Sequence, residues 1–308
     1  MPAATAAASL GVLSIEAFPH ESHDPSAWPG CRALPVAAVR PGAPSSWTQP
    51  HTPFRLYGNT WYVGTQGLSA ILVTSPQGHV LIDGTATENA AMIEANIRAL
   101  GFRVEDVRLI LDSHAHADHA GAIARLAKDS GAVVGASVAG AKAIEAGGDD
   151  PDDPQHGEAP RFPAAAGVRR IADGERVQVG PLALTAHYTP GHTPGSTSWT
   201  WQSCERGRCL AMVYADSLTP LSREGFRYGD DARRVAGFRQ AIKAVAGLPC
   251  DILMTPHPDA NGLLDRAAAR DRGTQPDPLV DREACRRYAA RNAAALDERL
   301  AKEHSPPR

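Results

Sequence analysis

Four residues of metal-ligand type fall within six positions of this 308-residue chain: His114, His116, Asp118 and His119, in the run Ser113-His114-Ala115-His116-Ala117-Asp118-His119. The run follows the apolar stretch Leu109-Ile110-Leu111, so it begins where a buried strand ends. Imidazole and carboxylate are the donors that divalent transition metals accept. In extended backbone, residues i and i+2 point to the same side, so His114 and His116 can reach one cation. Asp118 and His119 are expected to open the next helix, turned toward a second cation. The small side chains of Ala115 and Ala117 leave the backbone room to crowd two ions. A single histidine would read as an ordinary packed side chain; this density is hard to explain by packing.

Two more histidines have suitable settings. Thr189-Pro190-Gly191-His192-Thr193-Pro194-Gly195-Ser196 is a stiff Gly/Pro loop after a strand, and Thr255-Pro256-His257-Pro258 places an imidazole between two prolines. Given the first cluster, His192 and His257 are read as further ligands. His79, His156, His187 and His304 lack such settings and are read as surface or strand residues. Three neutral imidazoles leave a zinc one position for water, whose pKa falls to about 7 there. Hydroxide is then available at neutral pH without a protein nucleophile, and Asp118 can orient it by accepting its proton. The expected chemistry is hydrolysis. Hydride and phosphoryl transfer lack their motifs, since no GxGxxG follows a strand and no P-loop is present.

The elements that must position these residues follow from periodicity. Strands are expected at 60–63, 69–74, 79–82, 107–111 and 132–136, with helices at 88–100, 120–128 and 139–146. The acidic, Pro-rich stretch 147–163 reads as a lid or binding loop. Strands at 176–179, 182–187, 197–201, 210–214 and 252–254 follow, with helices at 235–246 and 282–302. Strands then helices, twice over, imply an α/β fold of two sheets face to face with helices on the outer faces. Residues 1–52, rich in Pro, Ser and Ala, read as an arm packed on a single domain of 53–308.

With 31 basic and 34 acidic side chains, the net charge of −3 gives no field for gripping nucleic acid. No run of about 18 apolar residues suggests a membrane span. Cys204 and Cys209 flank Glu205-Arg206-Gly207-Arg208, a turn that a disulfide would staple. Cys250 and Cys285, if paired, would close a long loop, and Cys31 is left over in the arm. None has a CxxC spacing. Two disulfides and five reduced thiols both remain open at this point; two disulfides would place the chain in an oxidising compartment. The apolar Leu10-Gly11-Val12-Leu13 is short and no Lys or Arg precedes Arg32, which makes a poor secretory signal.

The HAHADH run resembles the HxHxDH signature of the metallo-β-lactamase superfamily, whose fold is an αββα sandwich with the site at the sheet edges. The resemblance spans residues 57–300. Within the superfamily the chain is similar to subclass B3 enzymes, through Gly58-Asn59-Thr60-Trp61-Tyr62-Val63-Gly64, the GHTPGS of 191–196, Tyr214-Ala215-Asp216-Ser217-Leu218, the TPHP of 255–258, and Cys250 with Cys285. The resemblance implies two Zn2+, one held by His114, His116 and His192, the other by Asp118, His119 and His257. It implies hydrolysis of the β-lactam amide of penicillins, cephalosporins and carbapenems by a metal-bound hydroxide, with Asp118 catalytic. Ser217 and Thr219 would face the substrate carboxylate, and Gln155 would meet substrate from the long loop. Cys250 with Cys285 would be a disulfide, as Cys204 with Cys209 is in some members. A periplasmic or secreted monomer acting on a small molecule is implied. Ala215-Asp216-Ser217-Leu218 also resembles a stretch of glyoxalase II and lactonases whose Asp bridges the metals. In subclass B3 that Asp is not a ligand, so Asp216 is expected to make local hydrogen bonds. A thioesterase or lactonase is the alternative.

Overall fold

The structure, a computed structural model, describes residues 43–304. Most of the proposed arm, with Cys31 and the apolar run at 10–13, lies outside the described residues, as do the last four positions. Among the described residues the first sheet runs β1 (Phe54–Tyr57), β2 (Thr60–Tyr62), β3 (Ile71–Val73), β4 (His79–Ile82), β5 (Val107–Leu111), β6 (Val133–Ala136) and β7 (Arg169–Arg170), in that spatial order. Pairing is antiparallel from β1 to β4 and parallel from β4 to β7. Helices α1 (Ala90–Ala99), α2 (Ile123–Ser130) and α3 (Val138–Glu145) intervene.

The second sheet contains β8 (Arg176–Val179), β9 (Leu182–Tyr188), β10 (Thr197–Glu205), β11 (Arg208–Tyr214) and β12 (Ile252–Met254), in the order β12-β11-β10-β9-β8. Only β12 is parallel to its neighbour. Helices α4 (Ala232–Gly247), α5 (Leu263–Asp271) and α6 (Ala284–His304) complete the chain.

Alternation decides which side chains fill which layer. Leu182, Leu184 and Ala186 of β9 and Trp199 and Trp201 of β10 meet Val80, Ile82, Leu109 and Leu111 of the first sheet in the central core. Ile110 faces the other way, against Ile93, Ile123 and Leu126 of the helices covering that sheet. Sheet one is therefore buried on both faces, which is why β5 reads as a nearly unbroken apolar run. On the far side, Phe238, Ile242 and Val245 of α4 and Tyr288 and Leu296 of α6 cover Val213 and Leu253. The result is the αββα sandwich expected from the sequence. Trp201 Nε1 donates across the layers to Thr60 Oγ1 at 3.0 Å, satisfying a polar atom that burial would otherwise strand.

The differences from expectation are local. Residues 117–122 form turns and α2 starts only at Ile123, so Asp118 and His119 precede the helix rather than opening it. A Cβ at Gly121 would lie 2.2 Å from Ala117 O and 2.6 Å from Thr87 N, so that turn depends on glycine. The strands β1 and β7 and the helix α5 were not expected: β7 is two exposed arginines, and α5 buries only Leu263 and Ala267. The β10–β11 hairpin extends through its cysteines to a two-residue turn with Arg206 at φ 49° and Gly207 at φ 79°, the left-handed pair that matches strand twist. Cys204 and Cys209 thus stand opposite each other and are joined by a disulfide; a second joins Cys250 and Cys285. No helix among the described residues is long and apolar enough to cross a membrane.

Candidate metal centre

The strand β5 delivers Ser113 and His114 to the edge of the sandwich, where the chain leaves regular structure. The backbone there is not extended: His116 N donates to His114 O at 2.9 Å, and Ala120 N to His116 O at 2.7 Å. This tight winding, rather than i to i+2 alternation, gathers the four residues. Asp83 supports it from β4. Its left-handed backbone (φ 62°) turns the carboxylate under the end of β5, where it accepts from Ser113 N (2.7 Å), Ser113 Oγ (2.8 Å) and Tyr214 Oη (2.6 Å). Burial pushes its pKa up to about 6. His192 arrives on the β9–β10 loop. That loop packs so closely on α3 that a Cβ at Gly195 would sit 2.5 Å from the Gly140 backbone. His257 follows β12.

Side chains far apart in sequence meet in two groups: His114, His116 and His192, and Asp118, His119 and His257, each with possible ligand atoms within 4.8 Å of one another. In the first group the ring centroids are 4.8–5.0 Å apart and the rings nearly perpendicular. Hydrogen bonds behind each ring decide which nitrogen is free. His114 Nδ1 donates to Asp216 Oδ1 at 2.8 Å, His116 Nε2 to Asp153 Oδ2 at 2.9 Å, and His192 Nδ1 to Thr219 O at 3.0 Å. Nε2, Nδ1 and Nε2 respectively are left with lone pairs for a common cation. Burial, then the neighbouring imidazoles, hold His114 far below the usual histidine range and His192 at about 3. Both rings are therefore neutral, the form that ligates.

The second group passes a stricter test of fit. His119 Nε2 lies 3.2 Å from His257 Nε2 and 3.2 Å from Asp118 Oδ2, and His257 Nε2 lies 3.4 Å from the same oxygen. A tetrahedral cation with bonds of about 2.0–2.1 Å separates its ligand atoms by roughly 3.3 Å. The triangle therefore has the edges such an ion needs. Electrostatics agree. Burial alone would raise Asp118, but His119 and His257 outweigh it and hold the carboxylate well below its usual range. Burial alone would lower His119, yet Asp118 and Asp83 raise it. This corner favours positive charge, and nitrogen and oxygen donors with that spacing fit a divalent transition metal.

Both groups face a cavity of about 630 Å³ whose wall includes His116, Asp118, His192 and His257. Gln155, Ser217 and Thr219, the expected substrate contacts, line it too. Thr219 has a second engagement, since its carbonyl and hydroxyl lie 3.0 and 3.2 Å from His192 Nδ1. Asp216 is fully buried behind His114 and lies outside both groups, in the local hydrogen bonding expected of it. Trp61 and Tyr62 lie in β2 away from the cavity wall. Two features escaped sequence reasoning. Trp47 lines the cavity and its ring lies 5.6 Å from that of His257; a large aromatic side chain in a Pro/Ser-rich arm was the available signal. Asp153 backs His116 from within an acidic run that gave no reason to single it out.

Comparison with known proteins agrees with this geometry. Residues 63–205 match the profile of the Metallo-beta-lactamase superfamily. Over 84% of this chain and 97% of the other, the structure superposes on the Rm3 metallo-beta-lactamase with a TM-score of 0.82 at 50% identity. MEM-A1, a subclass B3 metallo-beta-lactamase isolated from a soil metagenome library, gives 0.81 at 49% identity over 83% of this chain and 98% of that one. The metallo-beta-lactamase SMB-1, bound to 2-mercaptoethanesulfonate, gives 0.81 at 47% over 83% and 99%. The chain belongs to the metallo-β-lactamase superfamily. Within it, the likeness is to enzymes of subclass B3. A hydroxyacylglutathione hydrolase of Anaeromyxobacter dehalogenans (strain 2CP-C) is 33% identical over 129 residues, which is 42% of this chain but only 40% of that relative's length.

Proposed function

We propose that the protein is a di-zinc hydrolase that opens the β-lactam amide of penicillins, cephalosporins and carbapenems. The observation that carries this reading is the pair of donor groups on one cavity, in a chain half identical to a metallo-β-lactamase. His114, His116 and His192 would hold one cation, and Asp118, His119 and His257 the other. When bound, the cations supply Lewis acidity toward the carbonyl and departing nitrogen and make hydroxide accessible near neutral pH.

The chain's own residues do the rest. Asp118, held ionised at the cavity wall, is placed to accept the proton of an attacking water and to orient it. The Ser217 hydroxyl binds the carboxylate of the bicyclic substrate, and Gln155 meets the opposite side from the long loop. Thr219 serves mainly through His192, whose tautomer its carbonyl fixes. Trp47 and Leu221 give the cavity apolar wall that limits water around the substrate. Two disulfides support folding in an oxidising compartment, the periplasm or the exterior, and the protein is taken to act as a monomer.

The partial likeness to a hydroxyacylglutathione hydrolase favours a second reading, a thioesterase or lactonase. The position of Asp216 favours the first, because its carboxylate backs His114 instead of lying between the two groups. Turnover of a carbapenem, a cephalosporin, an acyl-glutathione and a homoserine lactone, each with and without chelator and with zinc restored, separates the readings. Zinc-restorable carbapenem hydrolysis is the expected result. Preferential thioester or lactone cleavage, or chelator-insensitive turnover, overturns it.

A further inference from the structure

The three-histidine group is supported unequally. His114 is backed by Asp216, two residues past the end of β11, and His192 by Thr219. His116 is backed instead by a residue of the long 147–163 loop, Asp153, whose side chain is 9% exposed. The same carboxylate faces two ways. Oδ2 accepts from His116 Nε2 at 2.9 Å, and Oδ1 accepts from the amide of Gln155 at 2.7 Å. One side chain therefore grips both a candidate metal ligand and the turn that presents Gln155 to the cavity.

Other bonds tie this loop to its surroundings at its periphery. Arg223 N donates to Pro154 O at 2.9 Å, Arg234 Nη1 to Asp152 O at 3.0 Å, and Glu224 N to Glu158 Oε1 at 2.9 Å. The first and third join it to the segment after β11 that also carries Thr219, the partner of His192, and the second joins it to α4. Two of the three imidazoles are thus held by the same pair of joined loops that form the outer wall of the cavity.

We propose that Asp153 is a positioning residue that couples the order of this loop to occupancy of the three-histidine metal site. The inference rests on the metal reading above. The carboxylate fixes the proton on His116 Nε2, so Nδ1 carries the lone pair, and it strengthens that nitrogen as a donor. A cation that locks the His116 ring also locks the carboxylate, and with it the amide of Gln155. Linkage is reciprocal: an ordered loop raises affinity for the cation by the same factor that the cation favours the ordered loop. Metal loading and the shaping of the substrate wall become one event.

The test uses the full chain with Co2+ as probe, titrated against a competing chelator and read by its visible absorbance, in wild type, Asp153→Asn and Asp152→Asn. A His257→Ala background isolates the three-histidine site. Asp153→Asn is expected to weaken that site by about 10- to 100-fold, and Asp152→Asn to leave it within about twofold. Amide exchange of residues 149–160, followed by mass spectrometry, is expected to slow on metal binding in wild type and to lose that dependence in Asp153→Asn. Equal affinity in wild type and Asp153→Asn overturns the inference. So does loop exchange in wild type that is unchanged by metal, a result that requires no variant to fold. Failure of the wild type to take up metal at all removes the metal reading as well, and so is distinct from the other two outcomes.

Discussion

Removing the Cys250–Cys285 disulfide should cost far more stability than removing Cys204–Cys209, by an amount the two loop lengths set. The first closes a loop of 35 residues and the second a loop of 5. In the chain-entropy description, the longer cross-link is worth about 3.8 kcal/mol and the shorter about 2, a gap of about 1.7 kcal/mol. Burial widens it. Cys250 and Cys285 are buried against α4 and α6, so truncation to alanine there adds about 1 kcal/mol of lost packing, while Cys204 and Cys209 are exposed. The assay is urea unfolding of wild type and the double variants C250A/C285A and C204A/C209A, each stripped of metal, with the slope checked for constancy. The long-loop variant should lose about 4–5 kcal/mol and the hairpin variant about 2. Equal losses in the two variants, or less than about 2 kcal/mol for the long loop, would refute the reasoning.

Other perturbations test the site and its supports. Ser217→Ala should raise KM for a cephalosporin about 2- to 10-fold with little change in kcat, the pattern of a lost ground-state hydrogen bond worth about 0.5–1.5 kcal/mol. Asp216→Asn, which keeps the shape but removes the charge behind His114, should weaken metal uptake by about tenfold or more, read by chelator competition. Glu303→Gln tests a support remote from the metals. Burial would raise the Glu303 carboxyl, but the amides of Gly229 and Tyr228 and the Arg299 guanidinium outweigh it and lower its pKa. A depressed carboxylate stabilises the fold above its unfolded pKa, and that contribution disappears as pH falls through the folded value. The variant should therefore lose about 2 kcal/mol at neutral pH, with the difference shrinking in acid. A difference that grows toward low pH contradicts the assignment.

The two donor groups were legible because their residue types are rare in such density and their loops carry glycine and proline at fixed places. His114 to His119 stand in one run, and His192 and His257 each follow a strand inside stiff dipeptides. Which ring each support stands behind was not legible, even for Asp216, whose hydrogen-bonding role was expected, and the reason is physical: Asp216 lies 102 residues from His114, Asp153 lies 37 from His116, and Thr219 lies 27 from His192. No local pattern marks such a carboxylate or carbonyl; only tertiary packing brings it behind a ring. The same holds in the fold. Strands with two buried faces announce themselves by apolar runs, as β5 does. The strand β7 is an edge pair of arginines, and α5 follows a loop and carries its few apolar residues on a narrow stripe. Residues 118–122 read as the start of the helix because Ala120, Ala122 and the apolar Ile123 and Leu126 beyond them suit one, whereas the amides of His119 and Ala120 are bound to the carbonyl of His116 and that of Ala122 to Thr85.

The β10–β11 hairpin has a use beyond its place in the sheet. Thr197, at one end, donates its amide to Ser113 O beside the candidate ligands, and the nine-residue strand β10 runs from it to the turn at the stapled tip. At about 3.4 Å per residue that is roughly 30 Å. Arg206 at the tip is almost fully solvent-exposed. A fluorophore, affinity tag or surface linker attached there would ride on a covalently closed, well-anchored rod pointing away from the mouth, leaving substrate entry unobstructed.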